Sequence, residues 1–201
     1  MNKKVIKEDV LSDEYIPSLA EIEKEYNRIK EKKRYSTALR GTINLLIFIA
    51  AISILISSFL FPVLQIYGAS MTPSLNDGEL VVCQKTHSFM QGDIVAFYYN
   101  NKILLKRMIA GPGDWVEMDQ EGNVYVNNKL LDEPYVDNKA LGNCDIKFPY
   151  QVPENRYFFM GDHRSVSIDS RHSTIGCISD EQIVGKLVLK IWPLKSFSVI
   201  K

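Results

Sequence analysis

The sequence has 201 residues, of which 46% are apolar, and its 24 basic side chains are balanced by 24 acidic ones. This length suits one modest globular domain with an appendage. The zero net charge and the lack of a basic stripe with interleaved aromatic residues argue against a nucleic-acid partner, and no repeat of solenoid length is present.

The first predicted element is a helix in the arm formed by residues 1–42. Ser18 is followed three residues later by Glu21, which is the pattern of an N-terminal capping box. An apolar helical face follows it: Leu19, Ile22, Tyr26 and Ile29. The pattern predicts a helix from Ser18 toward Arg34 that lies near the lipid headgroups or continues into the next segment.

Residues 43–61 are predicted to form a transmembrane helix. The segment Ile43–Phe61 contains no charged side chain. At about 1.5 Å per residue it spans a hydrocarbon layer of about 30 Å with little tilt. A cleaved signal peptide fits less well, because about forty residues precede the segment and its apolar run exceeds a usual signal-peptide core.

The charges that flank this segment predict its orientation. The twenty residues after it contain no Lys or Arg, whereas the twenty before it contain seven: Lys24, Arg28, Lys30, Lys32, Lys33, Arg34 and Arg40. By the positive-inside rule, the N-terminus is cytoplasmic. We therefore expect a single-pass protein of the cell membrane, in contact with the lipid bilayer, whose residues 62–201 lie outside the cytoplasm.

Residues 62–201 are predicted to fold as a mainly β domain. Short apolar runs rich in Val, Ile, Tyr and Phe alternate here with Gly, Asp, Asn and Pro. The strand-like runs are "ELVVCQK", "DIVAFYY", "KILLKRMIA", "WVEM", "VYVNNKLL", "RYFFMGD" and "KLVLKIWPL". Many short strands without a long helical period predict an antiparallel sandwich or barrel-like sheet.

The three cysteines, Cys83, Cys144 and Cys177, are widely separated and form no CxxC pair. A structural zinc site is not expected, since its ligands usually come in closely spaced pairs. The pattern favours small, buried apolar residues, and it leaves open whether any of the three thiols is paired.

Ser70, in the stretch "YGASMTPSL" shortly after the apolar segment, is a candidate nucleophile. A serine hydroxyl needs a base to remove its proton. One candidate base is Lys106, which shares a strand face with apolar Leu104 and Met108 and would lose hydration there, with a lowered pKa. A Ser-His-Asp triad is the alternative, and its candidates lie late in the chain: Asp162, His163, Asp169 and His172.

Four sequence blocks, taken in order, resemble bacterial type I signal peptidases, which are membrane-anchored Ser–Lys endopeptidases. The blocks are "GASMTPSL", "QGDIVAFYY", "LLKRMIAGPGDWV" and "MGDHRSVSIDSR". The resemblance implies that Ser70 is the nucleophile and Lys106 the general base. The base position holds a lysine and not a histidine, as in the bacterial branch of the family. The two late histidines are therefore expected to have structural or modulating roles.

The same resemblance implies roles for the last block. Ser167 matches a serine that hydrogen-bonds and orients the base lysine. Asp169 and Arg171 match a structural pair that braces the site, and Gly161 and Asp162 match the turn that closes it.

The oxyanion hole and the departures from the family pattern complete the expected site. The resemblance implies that the backbone N–H of Ser70 is one oxyanion donor. Gly68 stands where some members have a donor serine, as in the Gram-positive branch, and the second donor stays open. His163 replaces the usual Asn, which would alter a turn or add a titratable group near the site.

The implied function is removal of signal peptides from exported preproteins at the membrane, without a metal or organic cofactor. The implied substrates carry small side chains at the first and third positions before the cut. Three alternatives stay open: a peptidase dedicated to a few substrates such as pilin-like subunits, a Ser–Lys self-cleaving repressor, and an inactive membrane-anchored binding domain. The apolar segment argues against the repressor, which would carry a soluble DNA-binding region instead.

Overall fold

The computed structural model describes residues 17–200. The start of the predicted arm, residues 1–16, lies outside this range. The chain divides into two units, residues 1–54 and residues 55–201.

Helix α1 (Leu19–Leu60) has 42 residues and joins the predicted arm helix to the apolar segment without a break. Its N-terminus carries the predicted capping box. The Glu21 N–H donates to Ser18 Oγ at 3.4 Å, and the Ser18 N–H donates to the Glu21 carboxylate at 2.9 Å. Within residues 17–200, α1 is the one helix that is long and apolar enough to cross a membrane.

The remainder of the described chain is β structure. Its strands are β1 (Val63–Gln65), β2 (Leu80–Gln84), β3 (Ile94–Tyr99), β4 (Lys102–Ala110), β5 (Trp115–Met118), β6 (Val124–Val126), β7 (Lys129–Leu130), β8 (Tyr150–Gln151), β9 (Arg156–Met160), β10 (Ile178–Ser179), β11 (Ile183–Trp192) and β12 (Ser198–Val199). Short 3₁₀ helices follow β10 and β11, at Asp180–Gln182 and Leu194–Ser196.

These strands form two antiparallel sheets, as the sequence predicts. The larger sheet has the order β1-β2-β11-β3-β4-β9-β10, with β12 paired to β11. The smaller sheet has the order β7-β6-β5-β8. Strand β1, which leads into the loop that carries Ser70, therefore lies at an edge of the larger sheet.

The stretch "VYVNNKLL", predicted as one strand, is a tight hairpin of β6 and β7. Asn127 and Asn128 at its tip have φ angles of 51° and 65°. Asparagine tolerates this left-handed region better than most residues with a side chain, so the pair reverses the chain. The prediction of a single strand was wrong because the turn consists of asparagine without a glycine.

Apolar packing fixes the loop between β1 and β2 onto the larger sheet. Ile66, Met71 and Leu75 of this loop are buried at 3% exposure or less. They belong to a core cluster with side chains of β2, β3 and β11, including Val81 and Leu187. Since Met71 directly follows Ser70, this packing positions the candidate nucleophile.

The three cysteines are free thiols. Cys83 and Cys177 are buried in apolar clusters, which confirms the interpretation of these two as small core residues. Cys144 is only half-buried, so the prediction of a buried core residue was wrong for this position. Burial raises the pKa of the Cys83 thiol to about 11, so this side chain is uncharged at neutral pH.

Candidate active site

The loop that carries Ser70 runs from Ile66 to Glu79 and is closed by backbone hydrogen bonds at its base. The Ile66 N–H donates to the Glu79 carbonyl at 2.9 Å, and the Gly78 N–H donates back to the Ile66 carbonyl at 2.9 Å. The Gly68 N–H donates to Asp77 Oδ1 at 2.6 Å. The loop is therefore a compact unit, and it holds Ser70 half-buried.

Ser70 and Lys106 meet although they are 36 residues apart in the chain. Lys106 Nζ donates a hydrogen bond to Ser70 Oγ at 2.7 Å. Lys106 lies in the middle of β4, between β3 and β9 in the sheet, and only 4% of it is exposed. This geometry is that of a nucleophile with an adjacent base.

Burial lowers the pKa of the Lys106 ammonium from 10.5 to about 8. Asp169 and Asp162 act in the opposite direction, because a nearby negative charge favours the charged amine, while Arg171 adds to the lowering. At pH 7 about one lysine in ten would be neutral, and at pH 9 about nine in ten. Between pH 7 and pH 9, a growing fraction of Lys106 is therefore neutral and can accept a proton.

The two candidate histidines of a Ser-His-Asp triad lie elsewhere. His172 Nδ1 is 2.8 Å from Thr174 Oγ1, and His172 Nε2 is 3.7 Å from Asp145 Oδ2. The ring of His163 contacts Thr72 at 2.9 Å. Within residues 17–200, neither ring hydrogen-bonds Ser70 Oγ, so the structure does not assemble a triad around this hydroxyl.

Asp169 and Arg171 form the predicted pair, and both side chains are completely buried. Arg171 Nε and Nη2 each donate to the Asp169 carboxylate at 2.8 Å, in a bidentate arrangement. Asp169 also accepts the Gly161 N–H at 2.9 Å. Burial alone would raise the pKa of Asp169, but its hydrogen bonds with Arg171 hold it below the usual range.

Arg171 extends this bracing to other segments of the chain. Its Nη1 donates to the Leu141 carbonyl at 2.8 Å, and its Nη2 donates to the Arg164 carbonyl at 3.0 Å. One guanidinium thus joins the segment between β7 and β8 to the turn that follows β9.

Asp162 contributes an ion pair that sequence analysis missed. Arg107 Nε and Nη2 donate to its carboxylate at 2.9 and 2.6 Å, and both side chains are buried. Ser74 Oγ also donates to Asp162, at 2.5 Å, and the Tyr135 ring lies 3.8 Å from the Arg107 guanidinium. Arg107 directly follows Lys106, so this cluster fixes the backbone beside the candidate base.

Position 161 requires a glycine because neighbouring atoms leave no room for a side chain, not because the backbone has an unusual angle. A Cβ built on it would lie 2.3 Å from Ser167 Oγ and 2.5 Å from the Ser70 carbonyl oxygen. The turn after β9 therefore lies directly against the nucleophile loop.

The structure brings Ser167 to the site, but it does not show the expected hydrogen bond to Lys106. Ser167 is completely buried, and its Oγ makes no well-aligned hydrogen bond among residues 17–200, although the hydroxyl contributes to the lowered pKa of the Asp169 carboxyl. It packs against Gly161, on the side of that residue that faces the Ser70 carbonyl. The expected orienting contact is thus replaced by close packing next to the nucleophile.

A second buried pair was also missed. Arg164 and Glu133 are both completely buried and form a bidentate ion pair, in which Arg164 Nη1 donates to Glu133 at 3.1 Å. Arg164 Nε donates to the Gly161 carbonyl at 3.2 Å. The partners are 31 residues apart. A lone glutamate beside a proline gives no sequence signal for such a contact.

The Ser70 N–H, the expected oxyanion donor, donates to no group within residues 17–200. The carbonyl of the same peptide, that of Ala69, accepts the Thr72 N–H at 3.2 Å and the Thr72 hydroxyl at 2.9 Å. The N–H is therefore available to a ligand, while the opposite side of the peptide is held in place.

Comparisons with known proteins identify the family to which the chain belongs. Residues 39–192 match the family described as signal peptidase, peptidase S26. The chain is 36% identical over 164 residues to signal peptidase IB of Staphylococcus aureus strain COL, covering 71% of this chain and 84% of that protein. It is 32% identical over 183 residues to signal peptidase I of Bacillus amyloliquefaciens, covering 86% of this chain and 98% of that protein. A crystal structure of a signal peptidase I from Enterococcus faecalis V583 is similar at a TM-score of 0.41 and 28% identity, covering 50% of this chain and 97% of that one.

Proposed function

The chain belongs to the signal peptidase family, peptidase S26, and on this premise we propose that it is a membrane-anchored serine endopeptidase that removes N-terminal signal peptides from exported preproteins. The observation that carries the proposal is the hydrogen bond of 2.7 Å between a buried lysine, Lys106, and the hydroxyl of Ser70.

In the proposed mechanism, neutral Lys106 accepts the Ser70 proton while Ser70 Oγ attacks the carbonyl carbon of the scissile peptide bond. The resulting Lys106 ammonium donates a proton to the departing amine, and an acyl-enzyme ester remains on Ser70. Lys106, neutral again, then accepts a proton from water, whose oxygen attacks the ester. Collapse of this second intermediate releases the signal peptide as a carboxylic acid and returns the proton to Ser70.

The Ser70 N–H is the proposed oxyanion donor. Its freedom from other hydrogen bonds within residues 17–200 supports this role, since a donor aimed in advance stabilises the developing charge at little reorganisation cost. Asp169 and Arg171 are proposed to brace the site. Ser167 stays a proposed partner of Lys106 on the resemblance alone, and its unpartnered hydroxyl is compatible with a hydrogen bond that forms during the reaction.

An extended substrate is proposed to add as a strand beside β1. Strand β1 (Val63–Gln65) occupies a sheet edge and leads into the nucleophile loop. An edge strand offers unpaired main-chain groups, so a substrate backbone gains hydrogen bonds there without regard to most of its side chains. This mode of binding suits a peptidase that acts on many preproteins.

The proposed membrane arrangement has a cytoplasmic arm (residues 1–42), a span (43–61) and an extracytoplasmic peptidase domain (62–201). The seven basic residues before the span and the lack of any in the twenty residues after it support this orientation. Only eight residues lie between Phe61 and Ser70 in the sequence, so the proposed nucleophile is tethered close to the end of the span.

The test of this function is cleavage of a precursor by the purified full-length chain in liposomes. The precursor carries a signal peptide with alanine at the first and third positions before the cut. We expect a single cut after the last alanine, identified by mass spectrometry of both products. A matched precursor with phenylalanine at the third position should resist cleavage. Equal cleavage of both precursors, or no cleavage of several alanine precursors, would contradict the proposal.

The contact geometry of Gly161 leads to a prediction about this activity. Gly161→Ala should lower the cleavage rate at least about 10²-fold, because the added methyl displaces the Ser70 loop, and shifts of about 1 Å have costs of this size. The matched control is Gly111→Ala, whose added Cβ would be 3.5 Å from its nearest neighbour, Met108. Wild-type activity in Gly161→Ala would show that the tight packing does not position the nucleophile.

A further inference from the structure

His163 contacts the nucleophile loop at three positions. Its backbone N–H donates to the Ser70 carbonyl at 3.1 Å. Its ring Nδ1 lies 2.9 Å from Thr72 Oγ1 and 3.3 Å from the Ala69 carbonyl oxygen. His163 lies in the turn after β9, next to Asp162, so it joins that turn to the residues on both sides of the nucleophile.

The hydrogen-bond network assigns the proton on the His163 ring. Thr72 Oγ1 lies 2.9 Å from both the Ala69 carbonyl oxygen and His163 Nδ1, and the same carbonyl oxygen lies 3.3 Å from Nδ1. A carbonyl oxygen can only accept, so a lone pair on Nδ1 would face it without a proton between them. A hydrogen on Nδ1 suits both neighbours if the Thr72 hydroxyl donates to the carbonyl, and we therefore assign the hydrogen to Nδ1.

These contacts converge on one carbonyl, and its peptide bears the proposed oxyanion donor. The Ala69–Ser70 peptide is trans, so the Ala69 carbonyl and the Ser70 N–H point in opposite directions. Groups that hold the carbonyl on one side therefore determine where the N–H points on the other. His163 and Thr72 supply these groups.

We propose that His163 is a positioning residue for the reaction: together with Thr72 it clamps the Ala69 carbonyl and thereby aims the Ser70 N–H at the developing oxyanion. This inference rests on the proposed function of Ser70. It also gives a reason for a histidine at this place, because the ring presents Nδ1–H whether it is neutral or charged.

Substitutions at His163 separate this role from simple packing. Asparagine carries an N–H on Cγ, as histidine does at Nδ1, whereas glutamine carries it one bond further out. We expect His163→Gln and His163→Leu to lower kcat for precursor cleavage about 10-fold with KM within about 2-fold. The expected loss in kcat is smaller than the loss of about 10²–10³-fold that follows removal of an oxyanion donor, because these variants misdirect the Ser70 N–H without removing it. His163→Asn should restore most of the rate.

Substitutions at Thr72 supply the matched test from the other partner. Thr72→Val keeps the shape of the side chain but removes the hydroxyl, whereas Thr72→Ser keeps it. We expect a loss of kcat in Thr72→Val similar to that in His163→Leu, and recovery in Thr72→Ser. Because the two residues hold one carbonyl, the double variant His163→Leu/Thr72→Val should lose less than the product of the single losses.

A spectroscopic measurement on the wild-type chain tests the assigned proton directly. At pH 9, ¹⁵N-detected spectra of the full chain in detergent should show His163 as the Nδ1–H tautomer. The chain has only three histidines, so loss of the signal in His163→Asn assigns it. An Nε2–H tautomer, or wild-type kcat in both His163→Leu and Thr72→Val, would overturn the clamp. Failure of the wild type to cleave any precursor would instead overturn the proposed function.

Discussion

Replacing Ser70 with alanine should abolish precursor cleavage, with a loss of at least about 10⁴-fold. The substitution removes one oxygen atom and leaves the packing of Met71 and Leu75 intact, so the loop should fold as before. Losses of a nucleophile in serine peptidases are of this size or larger, because the residual rate comes only from binding and oxyanion stabilisation. Liposome assays with wild-type and Ser70→Ala protein, followed to long times, measure the ratio.

The control for this loss is Ser165→Ala, which removes an exposed hydroxyl from the same turn that carries His163. It should cleave at the wild-type rate. Residual cleavage by Ser70→Ala within about 10-fold of wild type would mean that another group is the nucleophile.

Replacing Lys106 with methionine should lower cleavage by about 10²–10⁴-fold, the usual contribution of a general base. Methionine is similar in length and is apolar, so it suits a site in which the lysine is only 4% exposed. The variant should therefore fold at least as stably as the wild type, and a loss of activity would report chemistry. Cleavage rates and the near-ultraviolet circular dichroism of the same samples separate the two effects.

Lys102→Met is the matched control because Lys102 lies on the same strand, four residues earlier, with an exposed side chain. Its cleavage rate should equal that of the wild type. Full activity in Lys106→Met would mean that another group is the base.

The charges around Lys106 explain why burial dominates its pKa. Each nearby carboxylate has its own guanidinium: Asp169 pairs with Arg171, and Asp162 pairs with Arg107. Paired charges largely cancel at the position of a third group, so the fields that favour the ammonium are reduced. Loss of hydration is then the largest effect, and the pKa falls to about 8.

Local patterns predicted much of the fold. The capping box at Ser18, the apolar segment and the strands around Lys106 were visible in the sequence because helix ends and strand periodicity depend on near neighbours. The hairpin at Asn127 and Asn128 was missed because its turn looked like a continuation of a strand. The sequence left open whether the arm helix lies near the headgroups or continues into the apolar segment, and the structure shows one continuous helix.

Contacts between distant residues account for the parts of the site that the sequence did not predict. The resemblance named Asp162 as part of a turn, but its pairing with Arg107 joins positions 55 residues apart. Glu133 and Arg164 are separated in the same way, by 31 residues. Ser167 lies in the expected region but lacks the expected hydrogen bond among the described residues. Such details depend on packing, which no local pattern encodes.

The pH dependence of precursor cleavage by the wild-type chain tests the proposed Ser–Lys dyad most directly. A base must be neutral to accept the Ser70 proton, so the rate should rise with pH through an apparent pKa of about 8 and then level off. The rate at pH 7 should be about one tenth of the plateau. An inflection near 6.5, the usual value for histidine, or a rate that still rises beyond pH 10, as for an ordinary lysine, would contradict the assignment of Lys106 as the base.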